Sequence, residues 1–552
     1  MALIHPGIHE VTQRIALQGT PKGLAWDPRS GRLMVAEFGA GQVAEIDPES
    51  AEVVRRLPVG RYPHGLAVAP ERRLLLVGDW GLGELRIIDL GEDGKTTRIP
   101  VDRQPTGVAV SADESFAVVS HLVPNTAATV PDHAAAVAII DLESMEKTAT
   151  VRLPTGSTNV QDACIGADGA TAYVVHTIGR FHLPTTQLDR GWVNTNALSV
   201  IDLAKGSRRA TVLLDQVMDG AADPWGVTAG PAGKRLYVTL AGVHQLAVID
   251  LDRLSKLIAS SPASLSEDLS ALHRENVMRR IDLPAKGPRG ISVSAAGDRL
   301  AMAGYFTGNV ILTDPDGDGA TSIPLAPPQE PDAARRGEIA FHDANRCFQR
   351  WLSCASCHPD ARSDGLNWDL LNDGIGNPKN ARSMVFSHLT PPVMSLGVRD
   401  QTATAVRAGF VHIQFTEPEP GEVESVMAYL QSIEPLPSPY REPDGSLSEA
   451  ATRGKKIFNR RSVGCASCHP EPLFTKLEME DVGTTGSLDQ GAALFDTPSL
   501  RELWRTPPYL HDGRAATVRE VLTDHNLDDL HGTTSALTER EIDDLVAYLL
   551  SI

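Results

Sequence analysis

Residues 21–59 read PKGLAWDPRSGRLMVAEFGAGQVAEIDPESAEVVRRLPV, and residues 63–101 read PHGLAVAPERRLLLVGDWGLGELRIIDLGEDGKTTRIPV. Both open on Pro-x-Gly-aliphatic and reach an aliphatic-Asp pair, at Asp47 and Asp89, equally far from the opening proline. GLAWDP, RLMVAEF, QVAEID and EVVRRLPV in the first are four short alternating strands with Gly, Asp and Pro at the turns. Four such strands, repeated evenly from Pro21 to Pro63 to Pro105, describe a blade of a β-propeller. The opening returns at Pro105, Pro224 and Pro288, with a degenerate form near Asn159, and the units close at Asp47, Asp89, Asp141, Asp202, Asp250 and Asp314. That makes six units. TQRIALQG near the N-terminus reads as a last strand that closes the ring, so six or seven blades stay open.

Over about residues 10–328 this pattern resembles the YVTN propeller family, which implies a ring that usually has seven blades. Blades three and four carry insertions after their second strands, HLVPNTAATVPDHAAA and HTIGRFHLPTTQLDRGWVNTN. Both emerge on one rim, with His121, His133, His176, His182, Arg180, Gln187, Arg190 and Trp192. They read either as a cap against a partner domain or as surface loops. RLSKLIASSPASLSEDLSALHREN in blade five reads as helical. DPDGDG at Asp314 offers oxygen ligands for calcium, but it lacks the closing Glu of an EF-hand loop and suits a propeller turn better.

The whole chain has 552 residues, 51 Lys plus Arg against 70 Asp plus Glu, 42% hydrophobic residues and six cysteines. The length gives several domains at about 150 residues each. The net charge of −19 argues against nucleic acid as a partner. No apolar run approaches the roughly 18 residues of a membrane span, and MALIHPGIHEV lacks the regions of a secretion signal.

After the Pro-rich and charged APPQEPDAARRG (326–337) the strand period gives way to helical spacing, and EPLPSPYREPDG (434–445) divides the rest in two. The expected units are therefore 1–328, a propeller; 329–433, a first mostly α half; and 434–552, a second. AARRGEIAF precedes one CASCHP as AATRGKKIF precedes the other. Val423, Val426, Met427 and Leu430 align without a gap on Ile542, Leu545, Val546 and Leu549, one apolar helix face in each half.

Cys354, Cys357 and His358, and again Cys465, Cys468 and His469, form Cys-x-x-Cys-His. Two thiols at this spacing add to the two vinyl groups of one haem, and the adjacent His gives an axial nitrogen to the iron. Zinc wants four ligands, and a redox dithiol has no need of the His. The expected cofactors are two covalently bound haem c groups, with His358 and His469 as proximal ligands.

His412 stands as far before Ala428 as His531 stands before Ala547, each alanine being that of the Ala-Tyr-Leu in its closing helix. Equivalent depth in the two halves makes His412 and His531 the candidate sixth ligands; His388 and His525 stand in reserve, with His511 behind them. FDTPSLRELWRTPPYLHDGRAATVREVL (495–522) together with the two motifs resembles the bacterial dihaem cytochrome c peroxidase superfamily, over about residues 333–552. The resemblance implies a class-I-like pair of cytochrome folds, one haem for electron intake and one where peroxide reacts. The chain departs from the family in two respects. Met479 is the sole methionine after His469, too close to the motif for the family's distal Met, and the first half lacks a match to the peroxide-side segment with its Glu. His525 falls where that Met would align, and the duplication favours His531.

These readings give a haem-dependent oxidoreductase of the peroxidase type, with His388 or His412 as an acid-base group if free of the iron. The alternatives are an electron-transfer protein with two bis-His haems and a propeller docking platform, and a redox-sensing binding protein. Trp368 and Trp504 are placed beside the haems or in packing, and Cys164 and Cys347 have no assigned role. Haem c implies a periplasmic or extracellular site, and the acidity implies a redox partner with a basic face.

Overall fold

The computed structural model describes all residues except 92–93, 184–192, 262, 370–376 and 490. Six four-stranded antiparallel sheets follow one another along the chain, each with its strands in sequence order. They make a six-bladed propeller. Its innermost strands are Pro21–Asp27, Pro63–Ala69, Pro105–Val110, Ser157–Ile165, Pro224–Ala229 and Pro288–Val293. Alternating apolar side chains fill the space between blades, so that Leu76, Leu85, Ile87, Val119 and Ile140, from blades two and three, share one buried cluster.

The glycine of the opening turn is demanded by close approach. A Cβ on Gly23 would strike the carbonyl oxygen of His64 in the next blade, one on Gly65 that of Thr106, and one on Gly226 that of Arg289. Gly290 of blade six has nothing within 4 Å. At that seam, between blades six and one, Leu24 and Trp26 of the inner strand stay 54% and 49% exposed, where their counterpart Leu66 is buried. The N-terminal segment expected to close the ring pairs elsewhere. Glu10–Arg14 forms a hairpin with Ala2–His5, Ile15 packs against Val35, Ala44 and Ile46 of blade one, and Arg14 reaches the carbonyl of Leu325. Among the described residues there is no seventh four-stranded blade.

The helical region contains the same set of elements twice. A leading helix (Ala333–His342; Glu449–Phe458) crosses a closing helix (Glu422–Ser432; Glu539–Leu550). Between them lie the one-turn helices Cys354–Cys357 and Cys465–Cys468, and each half adds a two-residue strand ladder. Side-chain caps set the starts: Asp332 accepts from the Arg335 amide, Ser448 from Ala451, and Thr538 forms a capping box with Glu541. Both crossings pivot on glycine, because a Cβ on Gly337 would overlap the carbonyl oxygen of Ser425 and one on Gly454 that of Asp544. The apolar faces meet there, Phe341 with Val426 and Leu430, and Phe458 with Leu545, Tyr548 and Leu549.

The helical region sits on the propeller rim. His133 in the blade-three insertion bonds the Gly365 carbonyl at 2.9 Å, and the Ala128 amide donates to Gly513 at 2.8 Å. That insertion therefore contacts both halves, as a cap would. His121 and His176 are wholly buried, held by the Ala136 carbonyl and by Ser199. Gln187, Arg190 and Trp192 lie outside the described residues. Blade five's insertion is helical at Leu251–Ser260, with Leu254, Leu257 and Ile258 buried. Asp314 accepts the amides of Asp316 and Asp318, and Asp316 pairs with Arg235 and Arg279, so two of the three DPDGDG carboxylates take protein partners in a propeller turn.

Candidate haem centres

Each CASC turn holds its two cysteines on a single helical turn and ends at the histidine. His358 Nδ1 lies 2.8 Å from the Arg362 carbonyl, and His469 Nδ1 lies 2.8 Å from the Phe474 carbonyl. A carbonyl can only accept, so the proton sits on Nδ1 and Nε2 carries a free lone pair, the tautomer a metal ligand needs. Burial lowers both imidazole pKa values and favours the neutral ring. It also pushes the Cys354 thiol up to about 12 and the Cys465 thiol up to about 11, which suits neither a nucleophile nor a zinc thiolate.

In the second half, the rings of His469 and His531 face each other with centroids 6.4 Å apart. Two imidazoles bound to one metal at about 2.0–2.1 Å each would put their ring centres at a comparable separation. His531 Nδ1 is buried without a partner, and burial, with His469 nearby, lowers its pKa to about 4. The residue that shapes this loop is Asn526, which the sequence does not advertise. Its side-chain oxygen accepts the His531 amide at 2.8 Å, and its NH2 donates to the Gly532 carbonyl at 2.7 Å and to Thr534 at 2.8 Å. His525 is half-buried and has no ring contact with His469 among the described residues.

In the first half, His412 stands exposed on the wide turn Gly409–Ile413, with no ring contact to His358 among the described residues. The buried group beside this motif is Gln414, whose NH2 lies 3.4 Å from Cys354 Sγ and whose Oε1 is unpartnered. His388 is half-buried with Nδ1 unpartnered, on the short turn Ser387–Leu389. His511 is committed, 2.9 Å from Asp489 and stacked on Phe495 at 3.8 Å.

The two halves and the propeller are locked around these motifs. Arg362 grips the wholly buried Glu502 with two bonds of 2.8 Å, and Asp360 pairs with Arg505 at 2.7 Å. Asp223 of the propeller accepts from Ser353 at 2.7 Å and Ser356 at 2.6 Å, the two residues that cap the first CASC turn. Trp368 is buried in a cluster that includes Cys357, and its indole donates to Asp364 at 2.8 Å. Trp504 stacks on Tyr62 of the propeller, 6.0 Å away and 3° from parallel, with Trp80 edge-on. Cys164 and Cys347 are free thiols, the latter buried.

No family model matches the chain. It is 32% identical to hydrazine synthase subunit gamma of Kuenenia stuttgartiensis, over 41% of this chain and 79% of the relative. It is 23% identical to the methylamine utilization protein MauG of Methylophilus methylotrophus, over 42% of this chain and 84% of the relative. In fold it resembles a chain of Kuenenia stuttgartiensis hydrazine synthase, with a TM-score of 0.52 and 24% identity over 57% of this chain and 89% of that one.

Proposed function

Since the chain belongs to the family of hydrazine synthase subunit gamma, we propose that it is a two-centre haem c redox protein, with one centre for electron transfer and the other for peroxidase-type chemistry. The observation that carries this reading is the pair of CASC turns, each ending in a histidine whose Nδ1 is tied to a backbone carbonyl at 2.8 Å and whose Nε2 is free. Cys354, Cys357 and His358 would hold one haem, and Cys465, Cys468, His469 and His531 the other. Bound haem supplies one-electron exchange and, where its sixth position is free, a site for a small oxidant.

The chain's own residues divide the work. Facing His469, His531 supplies a second imidazole and makes the C-terminal centre the electron relay. The first half offers the exposed His412 and the buried Gln414, so the N-terminal centre is the one left for chemistry. Gln414 is a donor and acceptor beside it, while His388 and His412 are the groups that can carry a proton there. The 6.4 Å pairing of His469 with His531 also favours a second reading, pure electron transfer, if the first half takes a sixth ligand too. No helix among the described residues is long and apolar enough to cross a membrane. Haem c attachment supports a periplasmic or extracellular location, and the net charge of −19 supports a redox partner with a basic face.

The test is His531→Ala in the holoprotein. The C-terminal centre should change from low-spin to high-spin while the other keeps its spectrum, and the wild type, once half-reduced, should react with peroxide. Two low-spin centres inert to peroxide and carbon monoxide would remove the peroxidase reading. An unchanged spectrum in the variant would remove His531 as ligand.

A further inference from the structure

Within a blade, the residue after the outer strand donates its amide to the residue before the third strand: Val59 to Gly41 at 3.0 Å, Val101 to Gly83 at 2.9 Å, Leu153 to Ala135 at 3.1 Å and Leu325 to Gly308 at 2.9 Å. The N-terminal hairpin makes the same bond, Ile15 to Met1 at 2.9 Å. Ala2–His5 is thus built like a third strand, and Glu10–Arg14 like an outer strand, of a blade standing between blades six and one. The contacts fit that place. Ile15 lies on the second and third strands of blade one, Arg14 reaches the Leu325 carbonyl, and Arg299 of blade six donates to the Pro6 carbonyl at 3.4 Å. The first and second strands of such a blade have no counterpart among the described residues, where every other strand already has its place in a sheet.

The inner part of this seam is open, and both walls show it. The fourth residue of an opening strand faces the preceding blade, and Leu66, Val108 and Val227 are buried there, whereas Leu24 and Trp26 stay exposed. Across from them, Ser292 and Ala303 are exposed, although their counterparts in blade one, Ala25 and Ala36, pack against blade two. An added Cβ on Gly23, Gly65 or Gly226 lies 2.1–2.6 Å from a carbonyl of the next blade, but one on Gly290 meets nothing. Ala2–His5 is paired along one edge only. A free strand edge beside an exposed Leu and Trp is a template for added strands.

We infer that this seam is a docking site for an antiparallel β-hairpin of a partner polypeptide, which supplies the first two strands and completes a seventh blade. The repeat specifies the occupant. Its second strand pairs with the free edge of Ala2–His5, and its first strand carries Gly-aliphatic like the blades' own openings, because a residue there meets the Lys22 carbonyl as Gly23 meets that of His64. Its side chains toward Leu24 and Trp26 are small near the channel, as Ala67 and Ala69 are where blade two meets blade three. A helix would leave the edge amides unpaired. The site is formed by the propeller alone, so it stands or falls independently of the haem reading.

The probe is a fluorescein-labelled peptide copying residues 63–79, the first two strands of blade two, added to the full-length holoprotein. Fluorescence anisotropy should show saturable one-to-one binding, and hydrogen exchange should slow at residues 2–5. In Gly290→Val the new side chain enters open space in the free protein, so the melting midpoint should not fall, yet it blocks the added strand, and binding should weaken at least tenfold. A peptide carrying Gly65→Val should bind at least tenfold more weakly as well. Absence of saturable binding, equal binding by wild type and Gly290→Val, or unchanged exchange at residues 2–5 would overturn the assignment. Self-association that Gly290→Val abolishes, without peptide binding, would put a second copy of the chain in the seam and overturn it too.

Discussion

Glu502→Ala removes the acceptor that joins the two helical halves. In the intact protein Arg362 gives its carboxylate two bonds of 2.8 Å, the Leu436 amide donates to it as well, and Glu502 is wholly buried. Deleting one partner leaves a buried guanidinium without its counter-charge, a loss of about 3–5 kcal/mol. For a unit of roughly 150–250 residues each kcal/mol is worth about 2–4 °C, so the helical region should melt about 6–20 °C lower. The damage should also reach the first haem motif, because the carbonyl of Arg362 fixes the His358 ring. The assay is thermal unfolding of the full holoprotein, followed by far-ultraviolet circular dichroism and by haem absorption. The double variant Arg362→Met with Glu502→Leu removes both charges and should recover most of the loss. A midpoint that barely moves in Glu502→Ala, or a double variant as unstable as the single one, would refute the claim that this pair locks the halves.

Gly454→Ala places a methyl group on the carbonyl oxygen of Asp544, where backbone cannot give way without parting the helices. A loss of about 1–3 kcal/mol or more is expected in denaturant unfolding, and a variant as stable as wild type would show that the crossing is not close. Asp223→Ala removes both acceptor bonds to the cap of the first CASC turn, each worth about 1.5–3 kcal/mol as a bond to a charged group. Hydrogen exchange should quicken at residues 353–358 and stay unchanged at 464–469; equal protection at the first site would count against the propeller as its support.

The propeller was legible because its signal is local. Pro-x-Gly marks the innermost strand, where the next blade's carbonyl excludes a side chain at glycine, and the aliphatic-Asp pair closes the third strand. What stayed hidden was closure. TQRIALQG has the composition of a strand, but its partner, Ala2–His5, is chosen by contacts that alternation does not encode. In the helical halves the cysteine motifs and the two helix faces carry explicit spacing, and both were readable. Counting back from each closing helix put His412 and His531 on an equal footing, whereas the structure holds one half-buried opposite His469 and leaves the other in solvent. The difference lies in the loops: Asn526 folds the second one inward through three side-chain bonds, while the wide turn Gly409–Ile413 brings Gln414 to the motif in the first. Long-range pairs such as Arg362 with Glu502, far apart along the chain, leave no periodic trace.

Intact-mass measurement of the protein matured in a host that attaches haem c tests the central claim most directly. Two covalent haems per chain are expected, falling to one in Cys354→Ala with Cys357→Ala and to one in Cys465→Ala with Cys468→Ala. A wild-type chain that carries no haem, or a single haem lost in only one of the two variants, would contradict the account.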